Sequence, residues 1–347
     1  MGHRLKILFL FVSLLAPPAL ADPVQKAFSD WQVTCNNQNF CLARNTGAHQ
    51  GLVMSISRSA GARIDAALRI DLGGLVTPPV DQRDMASRLL LDDTPLALAG
   101  SWQILPYRLQ TQDPDTIGAF LAEIQDAASI TLEGSGQNIS LAGLKAALHF
   151  MDDRQQRVGN ETAWISRGDE PPLEVPPAPA LREVAIPDAP PTPLTHQELS
   201  DLLDYGARRM NNSDCSLDPV RREVRVNVLS DARALLMVGC EAGAYNVIDM
   251  AWVVTRRQPF VARPVRLRLP FALANGEGRE LELMNARYDE HTRELTTLAK
   301  WRGIGDCGIA TRWRFDGQRF RLTRYAAEAS CDGWHGPDAW PTLWVTK

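Results

Sequence analysis

Six arginines towards the C-terminus occupy alternate positions in apolar runs. Arg266 and Arg268 stand among Val265, Leu267 and Leu269, Arg312 and Arg314 beside Trp313 and Phe315, and Arg319 and Arg321 beside Phe320 and Leu322. Successive side chains of an extended strand point to opposite faces, so this spacing sends the guanidinium groups to one side and the apolar set to the other. A guanidinium is a planar fork of donors that meets a carboxylate or phosphate through two parallel hydrogen bonds, which an ammonium cannot do. Residues 194–347 contain 20 Arg and 2 Lys, a bias that solubility does not require. The chemistry these residues suggest is anion recognition. The competing expectation is a solvated face neutralised by Glu280, Glu282 and Glu294.

Other groups are weaker candidates. Gly303-Ile-Gly-Asp306-Cys307-Gly308 places an acid in a glycine-rich loop, but no Lys-Ser/Thr pair or helix pattern follows as phosphate cradling by a P-loop requires; a bulged turn that lets a cystine and Trp301 pack is expected instead. The histidines outside the first 20 residues, His49, His149, His196, His291 and His335, are scattered, and there is no Gly-x-Ser-x-Gly. Asp92-Asp93 and Asp152-Asp153 lack the alternating oxygen ligands of a calcium loop and are expected at a solvated surface or helix end. Neither Cys-x-x-Cys nor His-x3-His occurs, so neither a metal nor a cofactor is expected and no catalytic residue is assigned.

The first 21 residues combine a basic start, an apolar run from Ile7 to Leu15 and Ala19-Leu20-Ala21, the pattern of a cleaved signal peptide. All six cysteines, Cys35, Cys41, Cys215, Cys240, Cys307 and Cys331, lie beyond it. An even count in an exported chain points to disulfides, and the grouping in twos favours neighbour pairing. A periplasmic or secreted location follows, with no transmembrane segment. Residues 22–193 carry a net charge of −8 (13 basic, 21 acidic) and residues 194–347 a net +2 (22 basic, 20 acidic), far from the basic balance of a nucleic-acid binder.

The elements that must position these groups are mostly strands. Trp31, Val33 and Cys35 share one face of a period-2 run and Asn36–Asn39 turns the chain into Phe40-Cys41, so a Cys35–Cys41 bridge would staple a hairpin. Gly51 to Arg58 and Arg63 to Asp71 form a second hairpin. Ile117, Phe120, Leu121 and Ile124 recur at helical spacing behind Asp115-Thr116, as do Leu141, Leu144, Leu148 and Met151 behind Ser140. Thr195-His-Gln-Glu198 is a capping box opening a helix to about Arg209 that is expected to bury Leu199, Leu202 and Leu203. Strand-like runs then follow to the C-terminus, with Asp316-Gly317 as a hairpin connection. Nine of the 25 residues from Asp169 to Pro193 are Pro, which suits extended, semi-rigid chain. The expected architecture is mainly β and sandwich-like with a few helices. It comprises a signal peptide (1–21), a β-rich domain (22–168), a Pro-rich linker (169–193) and a C-terminal antiparallel domain with an N-terminal helix (194–347).

Phe28-Ser-Asp-Trp-Gln-Val-Thr-Cys35 with Cys41, and Ile139-Ser-Leu-Ala-Gly-Leu-Lys-Ala-Ala-Leu148, resemble the invasion-associated locus B family of exported proteobacterial proteins. The Pro-rich joint, Gly303-Ile-Gly-Asp-Cys-Gly308, Trp313-Arg-Phe-Asp-Gly317 and Trp340-Pro-Thr-Leu-Trp344 are similar to domain-of-unknown-function family 1176. That resemblance implies a proteobacterial envelope protein and brings no catalytic residues with it. The leading functional expectation is therefore a non-enzymatic envelope binding or interaction protein, recognising an anionic component through the arginine face. A hydrolase acting on envelope polymer comes second, and an inhibitor of lysozyme or a protease third.

Overall fold

The computed structural model describes residues 22–46, 51–75, 84–185, 190–211, 215–273 and 278–347; the expected signal peptide, His49 and residues 186–189 of the Pro-rich stretch lie outside them. The described chain begins as an antiparallel meander of β1 (Val24–Phe28), β2 (Trp31–Cys35), β3 (Cys41–Asn45), β4 (Leu52–Arg58) and β5 (Ala66–Leu72). After β6 (Leu89–Leu91) and β7 (Thr94–Pro95), the hairpin of β8 (Gln103–Leu105) and β9 (Arg108–Thr111) adds to β5, completing a seven-stranded sheet. Two further strands, β10 (Ser129–Leu132) and β11 (Gln137–Ser140), join β6 and β7 in a four-stranded sheet.

Two helices cover this core. In α1 (Pro114–Ile124) the Asp113 side chain accepts from Thr116 N at 2.9 Å, Pro114 fills the first helical position, and Ile117, Phe120, Leu121 and Ile124 are buried at the expected spacing. The second helix, α2 (Leu144–Arg154), starts later than Ser140 suggests, because Ser140 ends β11 and the chain enters the helix through Gly143. Gly143 has φ +94°, and a Cβ there would lie 2.0 Å from the Phe28 carbonyl oxygen. Only glycine fits that approach.

The C-terminal half opens with α3 (His196–Asn211) and the reciprocal capping box, in which Thr195 N donates to Glu198 Oε2 at 2.9 Å and Glu198 N to Thr195 Oγ1 at 3.1 Å. A sheet follows of β12 (Val224–Val228), β13 (Arg233–Ala242), β14 (Val247–Thr255) and β15 (Ala262–Pro264). Beyond the short pair β16 (Leu267–Arg268) and β17 (Glu280–Leu281), β18 (Leu283–Met284) also bonds to β14. The last sheet is the meander β19 (Arg287–Asp289), β20 (Glu294–Lys300), β21 (Gly308–Phe315), β22 (Phe320–Glu328) and β23 (Thr342–Val345).

These elements stack as helix, sheet and sheet. Ala234, Leu236 and Val238 of β13 pack under α3, whereas Leu235 and Met237 face the last meander with Trp313, Phe320 and Trp344. Burial on both faces explains the unbroken apolar run of β13. Helix α3 presses Leu202, Gly206 and Met210 onto the sheet so closely that a Cβ on Gly206 would lie 2.6 Å from Val224 Cγ1. Leu199 and Leu203 are each 37% exposed rather than buried, because the four-residue stripe 198-202-206-210 makes the contact and they lie one position round the helix.

The Pro-rich stretch is not the sole link between the halves. Asn37 bonds to the last strand, its backbone N–H donating to Leu343 O at 3.1 Å and its side chain exchanging bonds with the Val345 backbone at 3.0 and 2.9 Å. The Arg44 guanidinium on β3 reaches Glu328 at 3.0 Å and Asp332 at 2.6 Å.

Candidate functional site: an arginine-lined cleft

The β21–β22 hairpin sets one wall of the site. Trp313, Phe315, Phe320 and Leu322 turn into the core, and Arg312, Arg314 and Arg321 turn outward, as strand alternation requires. Asp316 holds the connecting loop through Gln318 N at 2.9 Å and Arg319 N at 2.8 Å, and its other oxygen accepts from Arg321 Nε at 2.6 Å. These bonds, the Arg321 contact first, keep the Asp316 carboxyl below its ordinary range despite the opposing effect of partial burial. On the facing wall Leu267 and Leu269 are buried while the Arg266 and Arg268 side chains remain 60% and 69% exposed.

The six arginines differ in the acids they take. Arg312 and Arg314 converge on Glu294 at 3.6 and 3.1 Å, which offsets the like-charge opposition of Arg314 and Arg321 across the hairpin. Arg266 and Arg268 share Glu280 at 3.3 and 3.5 Å. Arg319 has no carboxylate partner among the described residues. Of the expected neutralising acids, Glu280 and Glu294 therefore act, and Glu282 pairs with none of the six.

Arg266, Arg268, Arg319 and Arg321 line a cleft of about 920 Å³, together with Arg263 from β15 and Arg182 from the Pro-rich stretch. Arg312 and Arg314 are absent from its lining. Arg182 stands 6.0 Å over the Trp344 ring, and its carbonyl accepts from the Lys347 backbone N–H at 2.9 Å. Arg263 could have been sensed from its place in Val261-Ala-Arg-Pro-Val-Arg, although Pro264 breaks the alternation with Arg266. No local pattern announces Arg182, which lies far upstream in sequence and reaches the cleft only through the fold.

The remaining candidates resolve into structural parts. Asp306 is fully buried, accepting from Arg302 Nε and Gly333 N at 2.7 Å each, and lies next to the Cys307–Cys331 bridge. The Arg302 bond is the main reason its carboxyl sits below the usual range. Trp301 is 49% exposed; the side chain packed at this bend is Trp340, whose ring lies 3.0 Å from where a Cβ on Gly308 would be. Asp152 lies at the end of α2, as the helix-end alternative has it, but is not solvated. It is fully buried, bonded to Arg58 at 2.6 Å and to the backbone N–H groups of Trp164 and Ile165 at 2.9 Å. Its neighbour Asp153 is exposed, and Asp92 caps the turn at Ala128 and Ser129. His149, His196 and His291 are exposed, and His335 meets the buried Glu328 at 3.0 Å.

All three bridges join sequence neighbours, Cys35–Cys41, Cys215–Cys240 and Cys307–Cys331, with sulfur–sulfur distances of 2.04, 2.06 and 2.05 Å. Among the described residues no three His, Cys, Asp or Glu side chains converge to hold a metal, and no helix is long and apolar enough to cross a membrane.

The fold and site thus define a disulfide-stapled, antiparallel β protein with a basic cleft. The chain belongs to the family described as "Protein of unknown function (DUF1176)", whose model matches residues 25–347. It is 63% identical over 349 residues to "Uncharacterized protein YpfG" of Escherichia coli (strain K12), with all of both chains covered. No solved structure matches.

Proposed function

We propose that this protein is an exported, non-enzymatic binding protein that recognises an anionic component of the cell envelope in the arginine-lined cleft. The observation that carries this reading is the charge of the lining. Six arginines stand against two acids, Glu183 and Asp316, a surplus of four positive charges (six minus two) in a chain whose net charge is −4. Concentrating one sign of charge in a concavity focuses the field and raises the local concentration of the opposite ion. Export is supported by three formed disulfides, which persist in oxidising compartments. In this reading the β-rich units 22–168 and 194–347 are two domains, clamped by Arg44 and Asn37 as well as joined by the Pro-rich stretch.

Binding has more support than hydrolysis because both cleft acids are already engaged. Glu183 meets Lys347 at 3.2 Å and Asp316 meets Arg321, and no histidine or further carboxylate lines the cleft beside them to share the proton transfers of hydrolysis. The test compares the parent with an Arg266→Ala, Arg268→Ala, Arg319→Ala, Arg321→Ala variant for binding to lipopolysaccharide, peptidoglycan fragments and anionic lipid at low and high salt. The parent should bind at least one of them in a salt-sensitive manner and the variant should not. Equal binding by the two proteins, or no salt-sensitive binding by the parent, would return these residues to a solvated face.

A further inference from the structure

Resting on the anion-cleft reading, we infer that the ligand is a polyanionic oligosaccharide, with carboxylate or phosphate groups carried on separate rings. Its cleft arginines come from four stretches of chain: Arg182 from the Pro-rich stretch, Arg263 from β15, Arg266 and Arg268 around β16, and Arg319 and Arg321 at the hairpin. Arg263 and Arg319 have no carboxylate partner among the described residues, and Arg266 and Arg268 share a single one. One oxyanion accepts only a few forked contacts, so a ligand with a single charge leaves most of these donors unmatched. A ligand with charges spaced along its length engages several walls at once.

The floor argues against an acyl chain. Val253, Leu269, Phe320, Leu322 and Trp344 line it but are only 9, 3, 4, 5 and 2% exposed, having already been buried by the fold. Hydrophobic gain scales with the apolar area removed from water, and these five leave little to remove; the more open apolar residues of the lining, Val184, Ala185, Pro264, Val265 and Pro270, are interleaved along the chain with Arg182, Arg263, Arg266 and Arg268. Apolar surface divided in this way by charged groups suits the C–H face of a sugar ring better than a continuous acyl chain. The arginines also line a concavity, which the surface of a bilayer does not enter. At about 920 Å³ the cleft lies within the range of ligand sites and exceeds what one phosphate or one sugar ring fills.

The experiment is calorimetric titration of the purified, disulfide-bonded protein with galacturonic acid, digalacturonate and trigalacturonate. Neutral galactotriose serves as the uncharged control, glucose 6-phosphate and glucose 1,6-bisphosphate as the phosphate arm, and phosphatidylglycerol vesicles as the membrane arm. Affinity should rise about tenfold for each added charged ring, as linked contacts do, and should be absent for galactotriose. Glucose 1,6-bisphosphate carries both phosphates on one ring, so a gain over glucose 6-phosphate that exceeds the gain from monomer to trimer would overturn the placing of charges on separate rings. Arg263→Ala and Arg319→Ala, both exposed substitutions, should each bring the trimer down towards the dimer, while Arg312→Ala, outside the cleft, leaves the series unchanged. If monomer and trimer bind equally, or the vesicles bind more tightly than the trimer, the oligosaccharide inference falls while the cleft remains an anion site. If no anion binds, the cleft reading itself falls and takes this inference with it.

Discussion

Arg58 and the arginines of the cleft put the same side chain to opposite uses. Arg58 is fully buried, and its guanidinium donates to Asp152 and Gln155 at 2.6 Å each and to the Thr162 carbonyl at 3.3 Å, under the Trp164 ring at 3.9 Å. Burial lowers its pKa against the pull of Asp152, and beside it Arg157 is pushed down to about 10, by burial first and by the Arg58 charge second. Such a centre holds only while its partners are complete, because an uncovered charge in a low dielectric is costly. The cleft arginines are exposed and share too few acids, so their folded-state contacts are weak and their donors remain open to a ligand. The contrast separates arginines that make the fold from arginines available to act on something else.

The sharpest way to break this contrast is Asp152→Ala, which strands Arg58 without its carboxylate. It should cost about 3–5 kcal/mol in urea denaturation, and a loss no larger than that of a surface substitution would mean the pair is dispensable. Next comes the staple at the foot of β21. Replacing Cys307 and Cys331 with Ser opens a loop with a sequence separation of 24 and should cost about 3 kcal/mol on loop-entropy grounds. Urea denaturation of that variant beside the parent, both kept non-reducing so that the other two bridges stay closed, checks it.

Glu198 gives a pH test. Backbone bonding from Thr195, then Arg256, holds its carboxyl at about 2 against an ordinary 4.5. Its folded pKa is depressed, so its contribution is complete above pH 4.5 and is lost as the pH falls towards 2. Glu198→Gln should therefore show a shallower loss of stability than the parent across that window, measured by circular dichroism. An identical acid profile would place the stabilisation elsewhere. The smallest effect on stability is expected in the cleft, where Arg266→Ala or Arg319→Ala should change unfolding free energy by no more than about 0.5 kcal/mol. A larger loss would move these residues to the Arg58 side of the comparison.

Much of the fold is written in short-range pattern. The two-residue period marks β2, β5, β21 and β22, the Thr195–Glu198 box marks the start of α3, and the grouping of cysteines gives the three bridges. Strands of two or three residues, such as β7 and β8, carry too few side chains to show a period. Leu199 and Leu203 look like core on helical spacing, yet which stripe a helix buries depends on the surface it meets, here β12 and β13.

The sequence by itself determined that arginines would leave the strands on one side, that the cysteines would pair with neighbours and that the chain would be mostly antiparallel sheet. These follow from backbone periodicity and from spacing along the chain. Tertiary structure alone decided that Arg312 and Arg314 are the ones Glu294 takes and stay out of the cleft, that Arg182 completes it, and that Asp152 is buried against Arg58. The Arg58–Asp152 contact spans 94 positions and that of Arg182 with Trp344 spans 162 (344 minus 182), and contacts that distant leave no periodic mark on either partner's neighbourhood.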